Sequence, residues 1–288
     1  MSIQDFVSMR KRFHDEGAVC LKGALDEDSM RMALEAYEWS LNHPSVNSAQ
    51  FEGRAGESGR FYQDLMNPNA IEAYLPMLER SCFADLAAEI WGARDVWFMY
   101  EQVFLKEGGE SRRTPWHQDS SYLPIEGEKI VVMWISFEPV PKEDSLELIR
   151  RSHRGPLYDG SRFDPADDTA PLYGDGKLPR LPNIEAERDR WDIVSWAIEP
   201  GDVLIFHPQM LHGGAPTHPG RRRRTLSLRF FGDDAVFASR PGSFTDTGGE
   251  PRNAFDDMRR RLRPGDPFRH PGFPKLRPQS DARFRVEP

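Results

Sequence analysis

Cysteine is scarce in this chain of 288 residues, which contains only Cys20 and Cys82. Two cysteines are too few for a disulfide framework, so no disulfide is predicted, and both are compatible with buried thiols in a reducing compartment. The N-terminal segment has no basic region followed by an apolar stretch and predicts no signal peptide. The most apolar run, Ile130 to Ile135, is far too short to cross a bilayer. These absences favour a soluble cytoplasmic protein without a membrane partner.

Positive charge is also in short supply, because 38 lysines and arginines face 46 aspartates and glutamates, for a net charge of -8. Nucleic-acid binding depends on basic side chains that release counterions from phosphates, so this balance argues against a nucleic-acid partner. A composition of 38% hydrophobic and 29% charged residues is typical of a globular protein. We expect a single domain, residues 1–288, whose partner is a small-molecule substrate. The sequence does not indicate the oligomeric state.

The segment from residue 1 to about 94 is predicted to be a helical flank with one short strand. A helix ends near His14, and Gly17 to Leu21 is typical of a strand. Acidic residues at 26–28 precede an apolar stripe, which predicts a helix through Met30, Leu34, Tyr37 and Leu41. Another helix is predicted from Pro76 to Trp91, ending at Gly92. The apolar faces of these two helices are expected to pack on the outside of a sheet.

From about residue 95 to 235 the pattern changes to short β-type runs separated by glycine, proline and aspartate. Several short strands without intervening helices are typical of a sandwich or a barrel. We predict a mainly β fold with flanking helices, whose core is a double-stranded β-helix, the cupin-like jelly roll. The predicted strands are Val96 to Leu105, Ile130 to Phe137, Leu146 to Ile149, Asp202 to Phe206, and Thr225 to Phe231.

Two segments lack this pattern. Residues from about 154 to 195 are rich in Asp, Pro, Gly and Arg, and an insertion of this length is typical of a functional lid, with an inert surface loop as the alternative. Residues from about 236 to 288 are predicted to form a C-terminal helix and an extended tail, which begins near Arg263. No internal repeat is found.

The stretch Thr114 to Asp119 carries the residues best suited to hold a metal. Residues two apart on an extended backbone point to the same side, so His117 and Asp119 can converge on one ion while Gln118 points away. The H-x-D pair alone is a weak signal, and the candidate for the third ligand is His212. Two imidazoles and a carboxylate form the facial triad typical of non-haem Fe(II) oxygenases, because they leave coordination positions for cosubstrate and oxygen.

An arginine-rich strand follows His212. Read with period two, one face is polar and contains Arg223, Thr225, Ser227 and Arg229, and the other contains Arg224, Leu226, Leu228 and Phe230. The polar face is expected to line a cavity. Arg223, eleven positions beyond His212, could hold a carboxylate of a dicarboxylate cosubstrate through two parallel charge-assisted hydrogen bonds. The alternative is that the arginines at 221–224 form a solvated turn.

His207 and His218 compete with His212 for the place of third ligand. Pro208 would disturb a strand after His207, and the residue eleven positions beyond His207 is His218 and not an arginine. We therefore prefer His212. Structural roles in turns, packing or the surface are expected for His153, His14, His43, His270 and Asp202. Pocket contact and plain packing are both open for Trp116, Tyr122 and Phe230.

Together these motifs resemble the phytanoyl-CoA dioxygenase family of Fe(II)/2-oxoglutarate oxygenases, from about Val96 to Phe231. The resemblance rests on His117-Gln118-Asp119 with Tyr122 and Pro124, on Trp134, on Ser145 to His153, on His212-Gly213, and on Arg223 to Ser227. It implies iron ligation by His117, Asp119 and His212, and a salt bridge from Arg223 to the distal carboxylate of 2-oxoglutarate. The positions of Gln102 and Trp134 are also implied to contact the cosubstrate.

The chain departs from this family pattern at two places. Arg150-Arg151-Ser152-His153 stands where many members have Pro-Gly-Ser-His, which changes the local turn. Gly214 stands where a small hydroxyl residue often follows the third ligand by two positions. One hydrogen bond to the cosubstrate is thereby lost, and Thr225 is the predicted replacement.

The resemblance implies that O2 oxidises an organic substrate while 2-oxoglutarate becomes succinate and carbon dioxide. Related halogenases replace the aspartate by a small residue, so Asp119 favours hydroxylation of an unactivated carbon. Desaturation, epoxidation and ring closure stay open. A free small or medium organic metabolite is preferred to a coenzyme A thioester, for which Arg150, Arg151 and Arg154 would have to form a basic groove.

Two alternative functions would use the same candidate metal ligands. One is a jelly-roll metal protein that binds a small molecule as a sensor or storage module without oxidising it. The other is a cupin-like enzyme that uses its metal without 2-oxoglutarate.

Overall fold

The computed structural model describes residues 3–52, 60–107, 113–164, 166–215, 220–241 and 253–278. These ranges contain the helices α1 (Ile3–Glu16), α2 (Glu27–Asn42), α3 (Ala70–Arg80), α4 (Phe83–Trp91) and α5 (Ala254–Arg261). They also contain the strands β1 (Ala18–Leu21), β2 (Ala49–Glu52), β3 (Arg60–Leu65), β4 (Val96–Glu107), β5 (Thr114–His117), β6 (Ile125–Glu126), β7 (Ile130–Ser136), β8 (Leu146–Ile149), β9 (Ile193–Val194), β10 (Val203–Phe206), β11 (His212–Gly214), β12 (Arg222–Phe231), β13 (Val236–Phe237) and β14 (Lys275–Arg277). None of these helices is both long and apolar enough to cross a membrane.

Two antiparallel sheets form the body of the fold. The larger sheet has the strand order β1-β10-β7-β12-β4-β3-β2, and β14 pairs with the start of β4. The smaller sheet has the order β5-β11-β8-β9, and β13 pairs with β6 in a separate two-stranded ribbon. Short antiparallel strands arranged in two sheets, with helices at the flank, confirm the predicted double-stranded β-helix.

Strands β4 and β12 separate a hydrophobic core from a polar cavity. Val103 and Leu226 are cross-strand partners and are fully buried in the core that also contains the apolar faces of α2, α3 and α4. Gln102 and Ser227 form the next pair and point to the opposite side, because side chains alternate along a strand. On that side Arg229 reaches the turn that follows β5. The polar face predicted for β12 therefore lies between the two sheets.

The helical flank contains one more break than the sequence indicates. The prediction of α2 is confirmed, and it begins after Asp26, whose carboxylate accepts the Ser29 N–H at 2.7 Å. The prediction of one helix from Pro76 to Trp91 is wrong, because α3 ends where Ser81 adopts an extended conformation and α4 follows. Gly92 ends α4 in the left-handed conformation, as predicted. The apolar spacing continues across the break and so conceals it.

The prediction of a single strand in this flank is also wrong. Strands β2 and β3 form a hairpin that extends the larger sheet beyond β4, with Leu65 opposite Gln102. Neither strand contains a β-branched residue, and half of β3 is charged or amide side chains, so the pattern of a strand is weak. In the predicted extended tail, β14 pairs with β4.

The predicted insertion at about 154–195 lies over the turn that follows β5. It is attached through Gln118, whose Nε2 donates to the carbonyl oxygens of Pro156 at 3.1 Å and Gln209 at 2.9 Å. The Gln118 Oε1 accepts the N–H of Tyr158 at 2.8 Å. Gln118 is buried, so these bonds are shielded from water. That the insertion opens and closes as a lid stays a prediction.

The two cysteines are free and half-buried. Burial raises the pKa of the Cys20 thiol to about 11. The thiol therefore stays protonated at neutral pH and is a poor nucleophile.

Asp202 joins the start of β10 to the turn after β1. Its carboxylate accepts the N–H groups of Glu199 and Gly23, each at 2.8 Å, and the Lys22 ammonium at 2.6 Å. We expect Asp202→Ala to lower the free energy of unfolding by about 2–3 kcal/mol, because two backbone N–H groups lose a charged acceptor. Asp202→Asn should cost less, since an amide oxygen can still accept. Urea denaturation checks both values.

Lys22→Met is the matched control, because its side chain is 58% exposed and an exposed pair contributes at most about 1 kcal/mol. A loss in Lys22→Met as large as that in Asp202→Ala would show that the ion pair, and not the backbone bonds, carries the stability.

Candidate active site

His117, Asp119 and His212 converge between the two sheets. Strands β5 and β11 pair so that His117 and His212 stand opposite each other, and Asp119 follows in the turn after β5. The Asp119 Oδ1 lies 3.5 Å from the His117 Nε2 and 3.9 Å from the His212 Nε2. All three side chains are buried, and their potential ligand atoms lie within 4.8 Å of one another. The structure thus brings together the three residues that the sequence singles out.

Backbone carbonyl groups orient both imidazole rings. The His117 Nδ1 lies 2.8 Å from the Pro115 oxygen, and the His212 Nδ1 lies 3.0 Å from the Met210 oxygen. A carbonyl oxygen can only accept, so each Nδ1 carries the proton and each Nε2 keeps a free electron pair. Burial, reinforced by the neighbouring His117, lowers the pKa of His212 to about 3. Both nitrogens that face Asp119 are therefore prepared to coordinate a cation.

Arg229 holds the carboxylate in place, a role that the sequence analysis missed. Its Nε and Nη2 donate to the Asp119 Oδ2 at 3.1 and 2.7 Å, and its Nη2 also donates to the Gln102 Oε1 at 2.8 Å. Its guanidinium carbon lies 4.5 Å from the ring centre of Tyr100. Because Oδ2 is occupied, Oδ1 faces the two imidazoles. The signal was present in the sequence, since Arg229 shares the polar face of Arg223.

Burial by itself would raise the pKa of Asp119, but the Arg229 guanidinium outweighs it and holds that pKa far below its usual range. The cluster therefore offers two imidazole nitrogens and one anionic oxygen. This donor set fits ferrous iron, for which two histidines and one carboxylate on one side are the typical protein ligands.

Of the four consecutive arginines, Arg223 differs from its neighbours. The other three pair with carboxylates, namely Arg221 with Asp144, Arg222 with Glu107, and Arg224 with Glu138. Arg223 is buried and donates to the backbone carbonyls of Asp144 and Ala215. In the part of the chain that the structure describes, no carboxylate side chain pairs with it. Burial lowers its pKa to about 10, so it stays cationic at neutral pH. These contacts contradict a solvated turn for Arg223 and fit an anionic ligand.

The three other predicted cosubstrate contacts lie on the same polar face. Ser227 stands between Gln102 on β4 and Trp134 on β7 in the register of the sheet. Thr225, two residues earlier on β12, points to the same side and is buried. Their contacts with a cosubstrate stay predictions. Ser227 itself was not selected from the sequence, although its position between two selected residues follows from the period of the strand.

Gly213 and Gly214 allow close approach of the neighbouring strand β5. A Cβ atom at position 213 would lie 2.9 Å from the Arg113 Nη2 and 3.0 Å from the Thr114 carbonyl oxygen. A Cβ atom at position 214 would lie 3.1 Å from the Thr114 Oγ1. The Thr114 hydroxyl thus fills the space next to Gly214, at the position where the family resemblance implies a hydroxyl side chain. From the sequence, Thr225 was predicted to replace that hydroxyl, whereas the structure places Thr114 beside Gly214.

The aromatic residues considered for contact with the pocket lie in different environments. Phe230 packs against Phe98 in the core outside the cavity, with ring centres 5.7 Å apart, so it does not line the site. The Tyr122 ring lies 6.2 Å from His117. Phe163, from the insertion, lies 5.3 Å from His117 and was not selected from the sequence. Trp116 donates through its ring N–H to Glu185 at 2.5 Å.

Of the two histidines that compete with His212 for the place of third ligand, the structure describes His207. His207 lies at the end of β10, where its Nε2 contacts the Gly127 oxygen at 3.0 Å and its Nδ1 accepts the Gln209 N–H at 3.1 Å. These two bonds use both ring nitrogens. His153 contacts the His14 carbonyl oxygen, in agreement with a structural role. His218 lies outside the described residues.

Sequence comparison identifies relatives across most of the chain. The family model described as phytanoyl-CoA dioxygenase (PhyH) matches residues 13–225. A protein of Stutzerimonas stutzeri named "Probable alpha-ketoglutarate-dependent hypophosphite dioxygenase" is 22% identical over 243 residues, which cover 80% of each chain. The peroxisomal phytanoyl-CoA dioxygenase of Homo sapiens is 25% identical over 138 residues, which cover 47% of this chain and 38% of the human protein. The match therefore spans less than half the length of the human protein.

Comparison with solved structures identifies the same fold. The epimerase SnoN in complex with Fe3+, alpha ketoglutarate and nogalamycin RO has a TM-score of 0.69 at 18% identity, covering 96% of this chain and 100% of that chain. The carbocyclase SnoK from nogalamycin biosynthesis has a TM-score of 0.63 at 18% identity and covers 96% of both chains. At this level of identity the likeness shows a shared fold.

His207 should make stability depend on pH. Burial lowers its pKa from 6.5 to about 4, so acid protonates the unfolded chain first. The stability that neutral His207 contributes is fully present above pH 6.5 and is lost as the pH falls to 4. We expect the wild type to lose about 3 kcal/mol more than His207→Asn between these limits. Urea denaturation at several pH values measures the difference, and equal pH slopes would contradict it.

Arg229 should tune metal affinity. We expect Arg229→Met to weaken metal binding about 10- to 100-fold, because Asp119 loses its orienting partner. Arg229→Lys should restore part of the affinity, and Arg222→Met is the control, since Arg222 pairs with Glu107 at the surface. Anaerobic titration calorimetry with Fe(II) measures the affinities, and circular dichroism shows whether each variant is folded. Unchanged affinity in folded Arg229→Met would exclude an orienting role.

Proposed function

Because the chain belongs to the phytanoyl-CoA dioxygenase family, we propose that it is a non-haem Fe(II)/2-oxoglutarate-dependent dioxygenase that hydroxylates an unactivated carbon of a small or medium organic metabolite. The observation that supports this most directly is the convergence of His117, Asp119 and His212 in one buried cluster. Arg223 reaches Ala215, next to β11, and has no carboxylate partner in the described ranges. The cluster and the cation together suit a metal and a dicarboxylate.

The cofactors are ferrous iron and 2-oxoglutarate, with O2 as the second cosubstrate. Iron and alpha-ketoglutarate are named for the SnoN complex, and alpha-ketoglutarate for the Stutzerimonas stutzeri relative. When bound, iron and 2-oxoglutarate activate O2 for attack on a C–H bond, with release of succinate and carbon dioxide.

The chain's own residues supply orientation and a dry site. The carbonyl groups of Pro115 and Met210 keep each Nδ1 protonated, so both Nε2 atoms are available as ligands. Arg229 keeps Asp119 ionised and directs one oxygen toward the metal position. In this proposal Arg223 binds the distal carboxylate of 2-oxoglutarate. Buried surroundings strengthen each of these electrostatic contacts, because water does not screen them.

Asp119 also supports hydroxylation over halogenation. A halide would have to take the place of the carboxylate at the metal, but Asp119 is buried and is held by two hydrogen bonds from Arg229. Displacing it would leave the Arg229 cation buried without its anion, which is costly. Hydroxylation is therefore the outcome that the site favours.

The contacts of the basic residues favour a free metabolite over a coenzyme A thioester. Arg150 pairs with Glu16 and Asp192, and Arg154 pairs with Asp15. These two arginines are therefore already neutralised and do not form a basic groove for a nucleotide. Near the metal position the rings of Tyr122 and Phe163 stack with centres 6.1 Å apart. An organic substrate with an apolar portion suits such surroundings.

We expect the wild type to form succinate from 2-oxoglutarate in air only when Fe(II) and a substrate are present. Arg223→Ala and His212→Ala should each lower this rate at least about 100-fold, because one removes a charged contact and the other a metal ligand. Arg221→Ala, whose side chain is 52% exposed, is the control with near wild-type rate. Chromatographic measurement of succinate checks the result.

Three other outcomes of this assay have distinct meanings. Binding of Fe(II) and 2-oxoglutarate without succinate formation for any substrate would indicate a sensor or storage protein. Substrate oxidation without succinate formation, undiminished in Arg223→Ala, would indicate a cupin-like enzyme that does not need 2-oxoglutarate. A product that does not contain one oxygen atom from labelled O2 would indicate another oxidation in place of hydroxylation, such as desaturation or ring closure.

A further inference from the structure

Lys106, near the end of β4, is a buried lysine that the proposed mechanism does not use. It is 2% exposed, and its Nζ has no hydrogen-bond partner among the described residues. The Nζ lies 4.6 Å from the ring centre of Phe61, within the range of a cation–π contact. Among the described residues no carboxylate pairs with it. A buried ammonium group without an anion is costly, so Lys106 either loses its proton or keeps its charge by binding an anionic ligand.

The register of the larger sheet places Lys106 beside Arg223. The two residues are direct cross-strand partners on β4 and β12. Cβ atoms of direct partners lie about 5 Å apart on the same face of a sheet. Burial holds the pKa of Lys106 well below its usual range, and Arg223 and Arg113 lower it further. Three basic side chains, those of Lys106, Arg223 and Arg113, are therefore gathered at this end of the cavity.

Arg113 does not share this need for a partner. Its Nη1 forms ion pairs with Glu147 at 3.0 Å and with Glu185 at 3.1 Å. Lys106 and Arg223 are the two members of the group without a carboxylate in the described ranges. An anion placed between them would satisfy both.

We propose that Lys106 and Arg223 together bind the distal carboxylate of 2-oxoglutarate, so that Lys106 is a specificity-determining residue that selects a dicarboxylate cosubstrate. This inference rests on the proposed function and adds a second cation to its cosubstrate site. The Arg223 guanidinium has five N–H donors, of which two contact backbone carbonyls, so donors remain for a carboxylate. The Lys106 ammonium supplies a compact charge from the neighbouring strand, which complements the planar guanidinium.

Equilibrium binding tests the proposal without turnover. Wild type, Lys106→Met and Lys106→Arg are loaded with Co(II) under argon and titrated by calorimetry with 2-oxoglutarate and with 2-oxopentanoate. The second acid has the same keto acid end and chain length but no distal carboxylate. Lys129→Met is the matched control, because Lys129 lies at the surface and pairs with Asp233.

We expect Lys106→Met to raise the Kd of 2-oxoglutarate about 10- to 100-fold while the Kd of 2-oxopentanoate changes less than about twofold. Lys106→Arg should keep most of the preference for the diacid, and Lys129→Met all of it. The ratio of the two dissociation constants within one variant does not depend on the fraction folded. If Lys106→Met does not fold, Lys106→Gln is measured in the same way.

Two results would overturn the proposal. Unchanged affinity for 2-oxoglutarate in the Lys106 variants would show that Lys106 only packs against Phe61, and equal losses for both acids would show a general structural role. Either result leaves the proposed function intact if the wild type still forms succinate in air. Failure of the wild type to bind 2-oxoglutarate would overturn both.

Discussion

The site depends on the buried ion pair between Asp119 and Arg229. Both side chains are removed from water, so neither could be charged there without the other. The pair joins the turn after β5 to β12 and therefore connects the two sheets across the cavity. It also divides the carboxylate into one oxygen held by the protein and one oxygen that faces the imidazoles. The geometry of the three candidate ligands follows from this division and from the pairing of β5 with β11.

The sequence was sufficient to predict the jelly roll and the residues that converge in it. Strands such as β7 and β12 carry strong β patterns, and the spacing of His117, Asp119, His212 and Arg223 identifies chemistry that few arrangements of residues share. Local patterns could not show β2 and β3, because these strands are stabilised by pairing with β4 and not by their own composition. The break between α3 and α4 was missed for a related reason, since an apolar stripe shows burial but not continuity.

Three of the missed residues of the site share one property. Arg229, Lys106 and Thr114 lie on strands, and their side chains are functional candidates only because of what the neighbouring strand places beside them. Period two showed that Arg229 has the orientation of Arg223, but it could not show that Asp119 lies opposite. Likewise the space next to Gly214 belongs to Thr114 only through the pairing of β11 with β5. Such relations between distant segments require the register of the sheets.

Gln118 attaches the insertion beside the candidate metal ligands, and this attachment limits where the fold can vary. Its side chain lies between two candidate ligands in the sequence and fastens the chain at Pro156, Tyr158 and Gln209. Mutations at this fastening point would disturb metal geometry, whereas residues farther along the insertion have no such tie to Gln118. Natural variation in substrate choice should therefore accumulate in the part of the insertion that follows Tyr158. A loop can be lengthened or rebuilt there without a change in the candidate metal ligands.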